Sequence, residues 1–255
     1  KQLLLICAVV ALVGCGKKTS KPEAKANPPS TSPAQEVNNN QHKTDPKSKS
    51  ETKKTEPKAE VKKPLTEEES AKIIEKAIRE QLKKPTTLQV LFLRESQLTE
   101  VPKGLEKLTQ LKSLNLGRNK LTDVKGLEKL TQLTGLTLSY NQLTSVKGLE
   151  KLDQLTRLHL GQNELTDVKV LEKLTKLKRL FLYHNQLTDV KGLEKLTQLE
   201  WLYLNHNQLT SAKGLEKLTQ LEKLSLENNP DLTKAQIDEL QKALPKCRIY
   251  SNPTK

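Results

Sequence analysis

A phrase of the form LxxLxLxxNxLTDVKGLEKLTQ returns every 22 residues and sets Asn119, Asn141, Asn163, Asn185, Asn207 and Asn229 in one register. An opening copy, LQVLFLRESQLTEVPKGLEKLTQ, carries Ser96 at the Asn position and is one residue longer through an added Pro102. Seven copies therefore run from Leu88 to about Pro230. A period of this length marks a supersecondary unit that cannot bury its own apolar face, so the copies must stack on one another.

In copy six, Leu199, Leu202, Leu204, Leu209, Leu215 and Leu218 take the inward positions. Stacking merges such sets into one continuous aliphatic core, which explains how a chain with only 3% aromatic residues can fold. The recurrent Asn stands where the chain leaves the strand, and a buried amide there can satisfy backbone groups of the turn, so it reads as scaffold in every copy. On these motifs the chain resembles the leucine-rich repeat superfamily, and its repeat length is similar to that of the bacterial internalins. The resemblance covers a little over half of the chain. It implies an α/β leucine-rich repeat solenoid with a curved parallel sheet on the concave face and short helical or extended returns on the convex face.

Open ends of a solenoid need covers. Before the first copy, TEEESAKIIEKAIREQLKKP starts with Thr66 and Glu69 at capping-box spacing. It repeats apolar residues at Ile74, Ile78 and Leu82, with Ile73 and Ala77 beside them, which predicts a helix ended by Pro85 and covering the first strand. After the last copy, Thr233 and Gln236 form a second box, Leu232 can staple Ile237, and Pro245 ends the helix. Ile237, Leu240 and Leu244 would seal the final repeat, with a terminal strand over Cys247 to Tyr250.

The return phrase is nearly constant, with small edits such as Val170 for Gly and Ala212 for Val, and its charges almost cancel. Variation is concentrated in the strands, whose alternation places three residues per copy on the open face. The middle position reads Phe92, Asn115, Thr137, His159, Phe181, Tyr203 and Ser225. The position before it reads Val90, Ser113, Gly135, Arg157, Arg179, Trp201 and Lys223, and the position after it Arg94, Gly117, Ser139, Gly161, Tyr183, Asn205 and Glu227. Tyr140, His184 and His206 stand at the strand edge, just before the Asn.

Six of the seven aromatic residues fall on these variable positions, Tyr250 being the exception. With strands about 4.8 Å apart, Phe181, Tyr183, Trp201 and Tyr203 are expected to form one contiguous patch flanked by Arg157, Arg179 and Lys223. Aromatic side chains beside arginine have the composition of an interface hot spot. Cross-strand stacking that stabilises the sheet is the other use of the same residues. His184 and His206 are one strand apart, yet two ligands are too few for zinc, so they read as the polar rim of the patch with some pH sensitivity. Tyr140 belongs to the same rim. No phased Ser, Cys and His set and no Gly-rich phosphate loop occurs, so neither catalysis nor a cofactor is indicated.

The start of the chain, KQLLLICAVVALVGC, has a basic residue, an apolar run from Leu3 to Val13 and small residues before Cys15. That run is shorter than the roughly 20 apolar residues a spanning helix needs, and it fits a secretory signal. Leu12, Val13, Gly14 and Cys15 resemble the lipobox of bacterial lipoproteins, which implies diacylation of the Cys15 thiol and removal of residues 1–14. The sequence contains no methionine, so the initiator is expected to lie upstream of Lys1. With Cys7 in the signal and Cys15 carrying lipid, Cys247 stands alone and reads as a small buried apolar residue.

Residues 15–64 are rich in Lys, Pro, Ser, Thr and Asn, and beyond Cys15 their Lys count exceeds their acid count by six, within a net charge of +14. This composition cannot offset its ordering entropy and predicts a disordered basic tether with a reach of about 40 Å. Attraction to anionic envelope polymers or lipid head groups is the second reading of those lysines.

The organisation expected is thus a signal at 1–14, the tether at 15–64, a capping helix at 65–85, seven repeats at 86–230 and a C-terminal cap at 231–255. The function expected is that of a monomeric, lipid-anchored cell-envelope protein, facing the periplasm or the exterior. Its concave face would bind a protein or peptide, or alternatively an envelope polysaccharide or peptidoglycan. Nucleic acid is not expected as a partner.

Overall fold

The computed structural model describes residues 66–83 and 88–252. The lipobox and Cys15, the basic segment and Pro85 lie outside the described residues. Two helices flank eight three-residue strands: α1 (Glu67–Leu82), β1 (Val90–Phe92), β2 (Ser113–Asn115), β3 (Gly135–Thr137), β4 (Arg157–His159), β5 (Arg179–Phe181), β6 (Trp201–Tyr203), β7 (Lys223–Ser225), α2 (Lys234–Ala243) and β8 (Arg248–Tyr250). The strands form one parallel sheet in sequence order, and each pairs with the next in unshifted register, for example Leu180 opposite Leu202.

Parallel neighbours require a long return, and five of the returns close through a short 3-10 helix such as Leu149–Lys151 or Leu193–Lys195, while β2 and β3 are joined by turns alone and α2 lies between β7 and β8. The leucines of strand and return meet inside, none of the core side chains being more than 4% exposed. The core is entirely aliphatic apart from Cys247, which leaves every ring among the described residues available to a surface.

The repeated Asn binds neighbouring copies together. The Asn141 amide donates to the carbonyls of Leu138 (2.9 Å) and Leu116 (3.1 Å), and its Oδ1 accepts the N–H of Leu121 (3.0 Å). Asn163, Asn185, Asn207 and Asn229 repeat this pattern. Each amide reaches back into the copy before it. The first copy has no predecessor to satisfy, and there Ser96 replaces Asn, its own N–H donating to Asn119 Oδ1 at 2.9 Å.

Glycine precedes most return turns because the residue there is left-handed, with φ of 103° at Gly214 and 89° at Gly192. Copy four has Val170 instead, a branched side chain that avoids this region. The chain responds by starting its 3-10 turn earlier, at Lys169 after Val168 with φ of −131°. That shift brings the Lys169 backbone against Gly192 of the next copy, where a Cβ would stand 2.8 Å from the Lys169 carbonyl oxygen.

At the N-terminal end, Thr66 and Glu69 form their reciprocal bonds, and Ile74 and Ile78 are buried while Ile73 is exposed. The described contacts of α1 fall on the first return turn, with Ile78 facing Gly104 and the Glu75 carboxylate accepting the Lys103 N–H at 3.4 Å, whereas cover of β1 itself is the expectation from sequence. At the other end, Thr233 and Gln236 cap α2, Leu240 and Leu244 seal the core, and Arg248–Tyr250 extend the sheet as β8. Burial pushes the Cys247 thiol up to about 11, so it stays protonated and inert at neutral pH. No helix among the described residues is long and apolar enough to cross a membrane.

Candidate binding surface on the concave face

Unshifted register makes each variable position a row that runs across the strands. The first row is Arg157, Arg179, Trp201, Lys223 and Arg248, supplied in turn by β4 to β8. The Arg179 guanidinium lies 4.1 Å from the centre of the Trp201 ring system, and the Lys223 ammonium lies 4.7 Å from it. These two cations come from strands on opposite sides of β6, so the indole is held between them and presents its edge. Its Nε1 donates to Glu222 Oε2 at 3.3 Å. Cation and ring attract each other through the ring quadrupole, by about 0.5–1 kcal/mol at exposed sites.

The second row is a ring stack. His159 lies on Phe181 with centroids 4.1 Å apart, and Phe181 lies on Tyr203 at 5.0 Å, both pairs within 17° of parallel. Strand alternation places His159 on this face, outside the expected patch, and its position between Thr137 and Phe181 in the middle series is the sequence signal that joins it to the stack.

Tyr183 belongs to a third row. Its ring crosses Gly161 so closely that a Cβ there would overlap it, which is why this copy needs glycine. Burial pushes the Tyr183 hydroxyl above its ordinary range, and the nearby Tyr140 hydroxyl adds to that shift. Burial likewise raises Tyr203, with Tyr250 and Glu227 contributing. The expected contiguous patch is therefore resolved into parallel rows, with Phe181 and Tyr203 in one, Trp201 in another and Tyr183 in a third.

The rim forms a fourth row. His184 and His206 stack at 3.8 Å and 10°, and His206 Nε2 meets the Asn228 amide at 3.0 Å. Arg118 lies 4.7 Å from the Tyr140 ring centre, and Tyr140 is 43% exposed. Every rim residue is left-handed, with φ of 60° at Tyr140, 51° at His184 and 56° at His206. Tyr140 hides this in the sequence, since Tyr is unusual there, whereas His184, His206 and Asn228 are of types enriched in that region. The strain is held by ladder bonds such as His184 N–H to the Asn205 carbonyl at 2.9 Å. No group of three or more His, Cys, Asp or Glu that could hold a metal ion occurs among the described residues.

Burial, with the Arg157 guanidinium beside it, holds the His159 imidazole below its ordinary value of 6.5. Burial and the His206 ring lower His184 in the same way. The fold thus prefers neutral imidazole, while the unfolded chain takes up protons near pH 6.5. Stability is complete above that pH and falls as pH drops through the lowered folded values. Urea unfolding at pH 7.5 and 5 should show this loss, and His159→Gln should make it smaller. An unchanged pH response in that variant would show that His159 is not among the groups responsible.

Comparison with known proteins agrees with this architecture. Two leucine-rich repeat family models match the chain, one described as leucine rich repeat over residues 86–143 and 153–209, the other as two copies of leucine rich repeats over 131–173 and 197–242. Fold and surface together define a repeat solenoid that presents variable side chains on a constant frame, and LRR domains of this kind generally act as protein–protein interaction modules. The matched stretches lie between residues 86 and 242, and that part of the chain is built of leucine-rich repeats.

Among solved structures, it is similar to an internalin (inlF) of Listeria monocytogenes, with 27% identity, a TM-score of 0.58, and coverage of 65% of this chain and 49% of that one. Internalin C2 of the same organism shows 27% identity and a TM-score of 0.62, over 69% and 80% of the two chains. A leucine-rich repeat protein of Leptospira interrogans shows 28% identity and a TM-score of 0.59, over 64% and 48%. The chain thus spans about half the length of the first and third of these. A search of the curated proteins gave no match.

Proposed function

We propose that this chain is a lipid-anchored envelope protein whose concave face binds a protein partner. The observation that carries the reading is the contrast between a frame repeated almost word for word and side chains whose variation is concentrated on the open face of the sheet. Large rings are not needed by the aliphatic core, and they are grouped with arginine from β4 to β6. Trp201, Tyr203, Phe181, Tyr183, Arg157 and Arg179 would make the contact, with Tyr140, His184 and His206 at its rim.

The geometry favours protein over sugar. Stacking on a sugar needs an open ring face, and here Trp201 lies between two cations while Phe181 lies between His159 and Tyr203. What these rings offer outward is edges and flanking charge, which suits the mixed surface of a polypeptide.

Anchoring would come from acyl chains on Cys15, each buried CH₂ contributing about 0.8 kcal/mol, with the basic segment as spacer. Gly16 rather than Asp after the cysteine favours, by resemblance to lipoprotein sorting, the outer membrane of a Gram-negative cell. Metabolic labelling with a palmitate analogue tests this: label should disappear in Cys15→Ser, and its persistence would sink the anchor.

For the surface, a photoreactive residue at Tyr203 should capture the partner in intact cells. With that partner in hand, Trp201→Ala is expected to weaken binding about 30-fold, the size of a hot-spot loss of about 2 kcal/mol. The cost to urea stability should be smaller, about 1 kcal/mol from two lost cation–ring contacts. Lost stability with unchanged affinity would leave these rings as sheet stabilisers only.

A further inference from the structure

We infer that the row from Arg157 to Arg248 selects a partner segment in which carboxylate side chains lie beside apolar ones. This deepens, and rests on, the reading of the concave face as a protein-binding surface.

The first ground is uncompensated charge. Arg157, Arg179, Lys223 and Arg248 occupy one row, and no ion pair within 4 Å among the described residues uses any of them. Lysines elsewhere on the solenoid do have acid partners, such as Lys178 with Glu200 at 2.8 Å and Lys195 with Glu172 at 2.6 Å. The nearby acids have other uses: Glu222 accepts the Trp201 N–H, and Glu227 accepts the Ser225 hydroxyl at 2.6 Å.

The second ground is orientation. Arg179 is held over Trp201, and Arg248 lies 5.1 Å from the centre of the Tyr250 ring. A guanidinium stacked on a ring keeps its in-plane N–H donors free, which is the geometry for gripping a carboxylate with two parallel bonds.

The third ground is the neighbouring row. His159, Phe181 and Tyr203 run beside the cations about 7 Å away along the strands and offer ring edges without net charge at neutral pH. A polyphosphate or sulfated polymer would satisfy the cations and leave the rings unused. A polypeptide can serve both rows at once. An extended segment laid across the strands repeats its side chains on one side every ~6.8 Å, so acids at three alternate positions span about 14 Å, close to the distance from β4 to β7.

The test is a selection of random twelve-residue peptides displayed on phage against the full chain, followed by affinity measurements with the enriched peptides. Enriched sequences should carry two or more Asp or Glu at alternate positions together with Leu, Ile or Phe. Their binding should fall at least tenfold in Arg157→Glu/Arg179→Glu, at least tenfold when their own acids become Gln or Asn, and remain in Lys125→Glu/Lys191→Glu on the return side. Failure to enrich any peptide, or full competition by polyphosphate or heparin at matched charge, would overturn the inference. Enrichment of apolar, uncharged peptides that still need Trp201 would overturn it while leaving the broader protein-binding reading intact. Indifference of every selected peptide to both Trp201→Ala and the charge reversals would remove both.

Discussion

Asn185→Ala is expected to lower the free energy of unfolding by about 3 kcal/mol or more, measured by urea denaturation followed by circular dichroism. The side chain joins three buried backbone groups: Oδ1 accepts the Leu165 N–H at 3.1 Å, and the amide donates to the carbonyls of Leu160 (3.1 Å) and Leu182 (3.0 Å). Alanine leaves all three without a partner, and each orphaned group costs about 1–3 kcal/mol. Asn185 belongs to copy five, so the damage falls at a junction between copies. In a stacked array, stability is the sum of repeats and their interfaces, so weakening one junction should also broaden the transition as the two ends come apart. A cost below about 1 kcal/mol would mean that water or a shifted turn replaces the amide, and that the repeated Asn is not what couples the copies.

Gly192→Ala is expected to cost about 3 kcal/mol, against about 1 kcal/mol for Gly148→Ala. Both glycines are left-handed, with φ of 89° and 110°, so both substitutions carry the conformational penalty of about 1 kcal/mol. Only Gly192 also meets backbone: its added Cβ would lie 2.8 Å from the Lys169 oxygen and 2.9 Å from the Lys169 Cα, whereas at Gly148 the nearest atom is Val124 Cγ2 at 3.9 Å. Forcing a methyl into packed structure costs a further 1–3 kcal/mol. Because Val170 causes the early turn that crowds Gly192, Val170→Gly should relieve part of the excess, and a double-mutant cycle measures the coupling. Equal costs at Gly148 and Gly192 would contradict the account of copy four.

The solenoid was legible because the leucine spacing repeats without drift. Six aligned Asn residues and seven aligned strand triplets leave one stacking register, and residues three to a strand cannot choose another face without exposing leucine. Capping boxes were legible for a similar reason, since Thr233 and Gln236 satisfy local donors by spacing alone. The candidate surface was legible as a list of residues and not as an arrangement. Alternation places Phe181, Tyr183 and Trp201 on the same face, but the directions of their rings depend on what the adjacent strand offers: a glycine for Tyr183 to cross, a cation on each side of Trp201, an imidazole for Phe181. Those choices are made across copies, 22 residues apart, where sequence neighbours carry no information. The left-handed rim was hidden for a different reason, because six ladder bonds, one from each rim residue from Glu95 to His206, impose a conformation that Glu, Arg, Tyr and Gln would not choose alone.

Trp201 is the only tryptophan in the chain, and it sits between Arg179 and Lys223 in the middle of the cationic row. Its emission therefore comes from one known place, with two cations and the Glu222 carboxylate within 5 Å of the fluorophore. Anything that lands on that row and draws a cation away changes the field at the indole, so the unlabelled protein carries its own optical gauge of occupancy on the surface proposed for recognition.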